Sequence, residues 1–431
     1  MLAITTVPFI EVASFKNGRP YSSECFNLNS GVKVGKIGDV TNKREISDWE
    51  FVEIDEFFNQ SGQLLTTGDI LMTLTGDPPD VGKVNYIYNP VNATWNQRVA
   101  MIRLIDDQNI YIDNDVLYAI LSTETVRTQL ERYAKGIRQR NLGNESLERL
   151  LLPVISKDLQ TAIKHCVKES YELYDCSIML YNNAENILRE HLGLSSVELD
   201  NIEPSIKSIT DSFILSGRLD AEYYQPKYDE LFALLGAYDT KTLSEIVNIE
   251  KSIEPGSEAY QTDGIPFIRV ANLSKFGIAD TDVYLSTEEY GDIIRPEKDT
   301  ILLSKDGSVG IAYKVEKYTN IITSGAILHL TVKDDSVMPD YLTLVLNSIV
   351  VKMQAERDAG GSVIQHWKPS EIEKVVIPIL DNEVQVQITE KVQESFALRK
   401  ESIRLLELAK TAVEVAIEQG EDRANGIINS K

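Results

Sequence analysis

A sequence that repeats itself at long range constrains the possible folds more tightly than composition does. Gly136, the run Leu147-Glu148-Arg149-Leu150-Leu151-Leu152-Pro153-Val154-Ile155, then Asp158-Leu159-Gln160 and Ile163 return further along. They reappear as Gly361, Ile372-Glu373-Lys374-Val375-Val376-Ile377-Pro378-Ile379-Leu380, Glu383-Val384-Gln385 and Ile388, each 225 positions on and with no gap. That period is too long for a solenoid unit and suits a duplicated domain. Each copy runs into a long stretch of helical periodicity. From Asp158 to Leu192, apolar Leu159, Ile163, Val167, Tyr174, Ile178, Tyr181, Leu188 and Leu192 recur at helical spacing, and Gly193 stops the run. Such a helix is roughly 50 Å long, at about 1.5 Å per residue. The second runs from Val384 to Ile417, with Phe396, Ile403, Leu406, Val413 and Ile417 on a heptad seam and Arg399 and Lys410 as its polar members. Two helices of equal length can pair antiparallel and place the two globular units at opposite ends, with pseudo-two-fold symmetry.

The residues upstream of each long helix read as mixed strand and helix. Phe9-Ile10-Glu11-Val12, Val32-Lys33-Val34, Ile70-Leu71-Met72 and Val99 to Leu104 are strand-like, with glycine and asparagine between them, and Asp115 to Tyr133 reads as one helix. In the second copy Leu243 to Val247, Ile268 to Leu273, Asp299 to Leu303, Val309-Gly310 and Tyr341 to Gln354 follow the same order, with early loops of different length. The expected fold class is α+β: two similar α/β domains separated by two long antiparallel coiled-coil helices. The expected boundaries are 1–155 for the first domain, 156–193 for the first long helix and 194–237 for a linker with a short helix. The second domain follows at 238–380, the second long helix at 381–420, and a flexible tail at 421–431.

Composition then excludes several classes. The chain has 431 residues, 43 % hydrophobic and 25 % charged, enough for two ordinary cores. No apolar run approaches the roughly 18 residues a membrane helix needs. Met1 to Ile10 lacks the basic start and cleavage site of a signal peptide. Cys25, Cys166 and Cys176 are scattered and odd in number, which gives neither a disulfide framework nor a zinc site and fits a reducing cytoplasm. The four histidines are dispersed, so no metal site is expected. The net charge of −23 argues against non-specific nucleic-acid binding.

No catalytic constellation emerges, and no catalytic residue is expected. Asp77-Pro78-Pro79 is the core of an amino-methyltransferase motif, but Asp80 stands where that motif needs an aromatic to stack on a flipped base. Lys305-Asp306-Gly307-Ser308 lacks the second glycine and the lysine-serine pair of a phosphate-binding loop. What remains is amide-rich and basic surface. Arg127 to Arg149 holds six basic residues against three acidic ones, in an otherwise acidic chain. Arg138, Gln139 and Arg140 follow Gly136, and Gln365, His366 and Lys368 follow Gly361 at the same place in the repeat. Arg, Lys, Gln and Asn are the side chains that reach base edges and phosphates. Lys33, Lys36, Arg98, Arg269, Lys275 and Lys305 complete the candidate DNA-binding set.

A duplicated glycine, Leu-Pro and long-helix unit with Gly68-Asp69-Ile70-Leu71 upstream resembles the specificity (S) subunit of type I restriction-modification systems. The resemblance spans about Phe9 to Ile417 and includes Val309-Gly310, Leu152-Pro153, Ile377-Pro378, Gln160 and Gln385. Arg218-Leu219-Asp220-Ala221-Glu222-Tyr223-Tyr224 is similar to a segment that precedes recognition domains in that family; no counterpart precedes the first unit. The resemblance implies that each domain reads half of a bipartite double-stranded DNA site, while the helices fix the gap and dock two methyltransferase (M) subunits. Restriction (R) subunits join where the system cleaves. S-adenosylmethionine, and ATP and Mg with a restriction subunit, would belong to those partners, leaving no cofactor and no catalysis in this chain. The acidity would then lie on outer faces and partner-binding helices. A second reading keeps the fold but makes it a protein-interaction scaffold or a DNA mimic.

Overall fold

The computed structural model describes residues 4–27, 29–42, 46–76, 80–106, 111–136, 139–194, 206–214, 216–359 and 365–429. Arg138, Gly361, Asp77-Pro78-Pro79 and 195–205 of the expected linker lie outside these residues. The chain forms two compact units. One is Met1–Asp175 with Arg399–Lys431, and the other is Cys176–Leu398.

The first unit is built on a four-stranded antiparallel sheet of β1 (Ala13–Asn17), β2 (Ile70–Thr73), β3 (Val84–Tyr86) and β4 (Val99–Leu104), in spatial order β1-β4-β2-β3. All four residues of β2 are buried. Ile70 and Met72 point into a cluster with Val116, Leu117 and Leu152, and Leu71 points the other way into Trp49, Trp95 and Val99. A strand covered on both faces reads as a continuous apolar run, not an alternation, and Ile-Leu-Met is such a run. Each such side chain contributes roughly 1.5–3 kcal/mol on burial.

The second unit repeats this sheet with β5 (Val247–Lys251), β6 (Ile301–Ser304), β7 (Ala312–Lys314) and β8 (Ile327–Val332), in order β5-β8-β6-β7. The register is the same. Leu104 faces Ala13 and Val332 faces Val247; Val99 faces Thr73 and Ile327 faces Ser304; Ile70 faces Tyr86 and Ile301 faces Lys314. Each unit also has a parallel pairing, of Val32–Gly35 with Ala93–Trp95 and of Ile265–Ile268 with Ile322–Thr323. The α+β duplication expected from the sequence is therefore present strand by strand in the central sheet, while the smaller sheets differ in strand number.

Three local expectations are corrected. The helix read from Asp115 to Tyr133 is two, Asn114–Leu121 and Glu124–Tyr133. Thr123 separates them: its hydroxyl accepts from Val126 N at 3.3 Å and donates to Ile120 O at 2.7 Å, which starts a new helix in a new direction. The residues after Gly420 are not a flexible tail. They form the helix Glu421–Asn429, whose Ala424 and Ile428 are buried in the first unit's core. The third correction concerns the seam of the second long helix.

The long helices are α1 (Lys157–His191) and α2 (Asn382–Gln419). Ile403 on α2 is 58 % exposed, while Ser402, Leu405, Ala409, Ala412 and Ala416 are buried. Of the expected seam, Val413 is buried and Phe396, Leu406 and Ile417 pack on the cores, so Ile403 alone leaves it, and small residues fill the closest contacts beside it. In the first unit Ser170 Oγ donates to Ser402 O at 2.8 Å. In the second, Ser395 Oγ donates to Ser177 O at 2.6 Å. Ser170 and Ser395 are 225 residues apart, as are Ser177 and Ser402, so one bond is the repeat image of the other. Both glutamines of the repeat close the turn that enters their helix. Gln160 Nε2 donates to Ile155 O (3.0 Å) and Tyr111 O (3.2 Å), and Gln385 Nε2 to Leu380 O (2.9 Å) and Ser336 O (3.0 Å).

Candidate nucleic-acid interface

In each unit the chain leaving the central strand meets the segment that follows the repeated glycine. In the first unit Arg140 and Asn141 pair antiparallel with Gly76 and Thr75, and Leu142 N donates to Leu74 O at 2.8 Å. In the second, Asp306 bridges to His366, Gly307 N donates to Gln365 O (2.9 Å) and Trp367 N donates to Lys305 O (2.8 Å). Extended backbone sends alternate side chains to opposite sides. Leu142 and Trp367 go inward and are buried, and they anchor the segment. Asn141 and His366, one residue earlier, are exposed. Gly136 makes the turn possible in the first unit. Its φ is +116°, and a Cβ there would lie 2.1 Å from Gln139 O.

The exposed side chain is held in both units by a residue from the facing loop. Thr75 Oγ1 donates to Asn141 Oδ1 at 2.8 Å. His366 Nδ1 lies 2.9 Å from Asp306 Oδ1, and Lys305 Nζ pairs with the other carboxylate oxygen. Burial pushes the Asp306 carboxyl up, but the Lys305 and His366 hydrogen bonds and charges outweigh it, and the net shift is downward. Asp306 is therefore ionised at neutral pH and orients the imidazole.

Of the sequence candidates, Lys305, Gln365 and His366 are brought together here, with Lys368 two residues on at the start of the short helix Pro369–Ile372. Lys368 is exposed, with Nζ 3.6 Å from Glu371. Gln139 and Arg140 adjoin the equivalent ladder in the first unit; Gln139 is exposed and Arg140 half-buried. Arg98 is exposed on the turn before β4. Arg138 lies outside the described residues.

The remaining candidates have internal partners. Lys33 Nζ donates to Trp49 O at 2.8 Å and sits 3.9 Å from the Phe51 ring. Lys36 pairs with Glu50 at 2.7 Å and lies over Phe26. Arg269 stands at the position equivalent to Lys36, since both precede a short helical turn closed by a side chain three residues on, and it reaches Asp282 at 3.5 Å. Lys275 lies over the rings of Tyr181 and Phe276 and 3.6 Å from Glu185, so it packs on α1. Sequence reasoning left Asn141, Thr75 and Asp306 out of the candidate set. The signal available was positional, because Asn141 and His366 are 225 residues apart.

The Gly68-Asp69-Ile70-Leu71 motif is structural. Gly68 has φ +92°, and Asp69 is buried, accepting from Thr66 N at 2.8 Å and from Arg103 Nε and Nη2 at 2.7 Å each. Among the described residues, no group of His, Cys, Asp and Glu is arranged to hold a metal, and no helix is long and apolar enough to cross a membrane.

The structure is a duplicated α+β domain, each copy continuing into a long helix and each presenting a held polar side chain beside an amide-rich segment. Residues 237–407 match the family of the Type I restriction modification DNA specificity domain. The second half of the chain thus carries that domain, and the chain resembles the specificity subunits of type I restriction-modification systems. Three solved structures align along nearly the whole length. The S subunit of a Type-I restriction-modification system from M. genitalium is 17 % identical, with 99 % of this chain and 97 % of that chain covered and a TM-score of 0.41. The HsdS subunit from Thermoanaerobacter tengcongensis is 14 % identical, covering 96 % and 97 %, with a TM-score of 0.31. A chain from work on complex assembly and conformational transition of the type I R-M system is 12 % identical, covering 97 % and 99 %, with a TM-score of 0.32. No curated protein matches the chain.

Proposed function

We propose that this chain is the DNA-specificity subunit of a type I restriction-modification assembly. Each α+β domain reads one half of a bipartite double-stranded DNA site, and the two long helices set the gap and dock two methyltransferase subunits. The observation that carries the reading is the specificity-domain match over 237–407, together with a first unit whose central sheet repeats that of the second in strand order and register. The chain contributes recognition and no chemistry. S-adenosylmethionine, and ATP and Mg where a restriction subunit is present, act in the partners, and the assembly works in the cytoplasm.

The net charge of −23 fits a subunit that binds DNA weakly alone. Long-range repulsion opposes encounter, and few contacts release few counterions. Several lysines are neutralised internally, which leaves Arg98, Gln139, Gln365, His366 and Lys368 as the exposed candidates for DNA among the described residues. The test is co-purification with a methyltransferase subunit, followed by mapping of adenine methylation across random DNA. A bipartite motif with a fixed gap is the expected result. A stable complex that methylates no motif would transfer the chain to the scaffold or DNA-mimic reading.

A further inference from the structure

We propose that Asn141 and His366 occupy one and the same reading position in the two units, and that each contacts a base edge in the major groove. The inference rests on the DNA-reading function above and assigns the residues that carry it. Four observations coincide at this position and at no other candidate. The two residues are 225 apart in the repeat. Each precedes a buried anchor, Leu142 or Trp367. Each lies on the ladder formed with the loop that leaves the central strand. Each exposed side chain has one polar atom bound by that loop, Thr75 in one unit and Asp306 in the other. Among the described residues, Gln139 and Lys368, also exposed, have no such holder from the facing loop. A side chain held in one orientation discriminates between bases, whereas a mobile one contacts any acceptor in reach.

The holders also determine what each side chain presents. The Thr75 hydroxyl donates to the amide oxygen of Asn141, so the amide nitrogen is left to donate. A donor reads purine N7 or O6, or thymine O4. Asp306 is a carboxylate and only accepts, so Nδ1 of His366 carries the proton of that bond and Nε2 is the atom left to face a base, an acceptor in the neutral tautomer. An acceptor reads an exocyclic amine, N6 of adenine or N4 of cytosine. One position in the fold thus carries a held amide in one unit and a held imidazole in the other, and this would let a duplicated frame read two different half-sites.

The test uses the full chain in complex with its methyltransferase subunit, with methylation mapped across random DNA for wild type, Asn141→Ala, His366→Ala and Asp306→Asn. His366→Ala is expected to relax one base of one half-site, lowering discrimination there by roughly tenfold, about the value of one good base contact. Asp306→Asn relaxes the same base, because the imidazole tautomer is no longer fixed. Asn141→Ala relaxes one base of the other half-site and leaves the first untouched. Melting curves check that the substitutions at exposed Asn141 and His366 and at half-buried Asp306 leave the fold intact. A bipartite wild-type motif that stays equally stringent in all three variants, or that weakens evenly at every base, overturns the inference alone. A wild-type complex with no bipartite motif overturns the DNA-reading function and the inference with it.

Discussion

A pair of glutamines offers a controlled experiment within one molecule. Gln129 and Gln354 are 225 residues apart, and each clasps the backbone of the strand that leads to its long helix. Gln129 Nε2 donates to Leu151 O at 3.0 Å, and Leu151 N donates to Gln129 Oε1 at 3.1 Å. Gln354 Nε2 donates to Val376 O at 2.9 Å, and Val376 N donates to Gln354 Oε1 at 2.8 Å. The bonds match but the burial does not. Gln129 is half-buried and its partner Leu151 exposed, whereas Gln354 is 2 % exposed and its partner Val376 half-buried. Replacing Gln129 by Ala lets water take both bonds, and the net loss is about 1 kcal/mol. Replacing Gln354 by Ala leaves two poorly hydrated backbone groups at roughly 1–3 kcal/mol each and opens a cavity, for a total of about 4 kcal/mol. For units of this size each kcal/mol moves the melting temperature by about 2–4 °C, so Gln354→Ala lowers it by about 8–16 °C and Gln129→Ala by about 2–4 °C. Tryptophan fluorescence separates the units, since Trp49 and Trp95 lie in the first and Trp367 in the second. Amide exchange at Val376 and Ile377 gives the local readout. Equal shifts in the two variants, or a smaller one for Gln354→Ala, would refute the argument that burial sets the cost of a broken clasp.

Three further outcomes follow from the same contacts. His329 on β8 is buried, with Nε2 2.8 Å from Thr323 Oγ1, and burial pushes its pKa down to about 4. Its folded pKa lies below the ordinary value of 6.5, so stability is full above pH 6.5. It falls as pH drops from there to about 4, by about 3 kcal/mol in all, and His329→Gln should flatten that slope in an acid titration of the second unit's melting. Removing 421–431, or changing Ile428 to Asp, should lower the first unit's melting temperature and leave the Trp367 signal in place, because Ala424 and Ile428 belong to the first unit's core. Arg98→Ala should weaken DNA binding by the complex and flatten its salt dependence by about one phosphate contact. Lys33→Met, whose ammonium donates to Trp49 O, should leave that slope unchanged and reduce stability.

The parts of this fold that could be read from the sequence are those set by local geometry. From Gly136 to Ile163 the repeat runs without a gap because a strand enters a helix through a turn closed by one glutamine, and an inserted residue would break the bonds of Gln160 to Ile155 O and Tyr111 O. The central strands were legible because burial on both faces demands Ile-Leu-Met in place of an alternation. What was not legible depends on partners distant in sequence. The seam of α2 was read correctly at Val413, Leu406, Ile417 and Phe396 and missed at Ile403, which stays in solvent while Ser402, Ala409 and Ala412 fill the close contacts. Lys33, Lys36 and Lys275 looked like DNA ligands because a sequence does not show Trp49 O, Glu50 or Tyr181 waiting beside them. Asn141 escaped for a different reason. It ends the run Arg138-Gln139-Arg140-Asn141 and its residue type can reach a base edge, but nothing in the sequence shows that Thr75 holds it. On the fold Asn141 and His366 share an anchor, a ladder and a holder, so the difference in residue type at a shared place is what a pair of readers for unlike half-sites requires. Identity across a repeat marks what the frame needs, and divergence at a position the frame holds rigid marks where the two copies can differ in what they recognise.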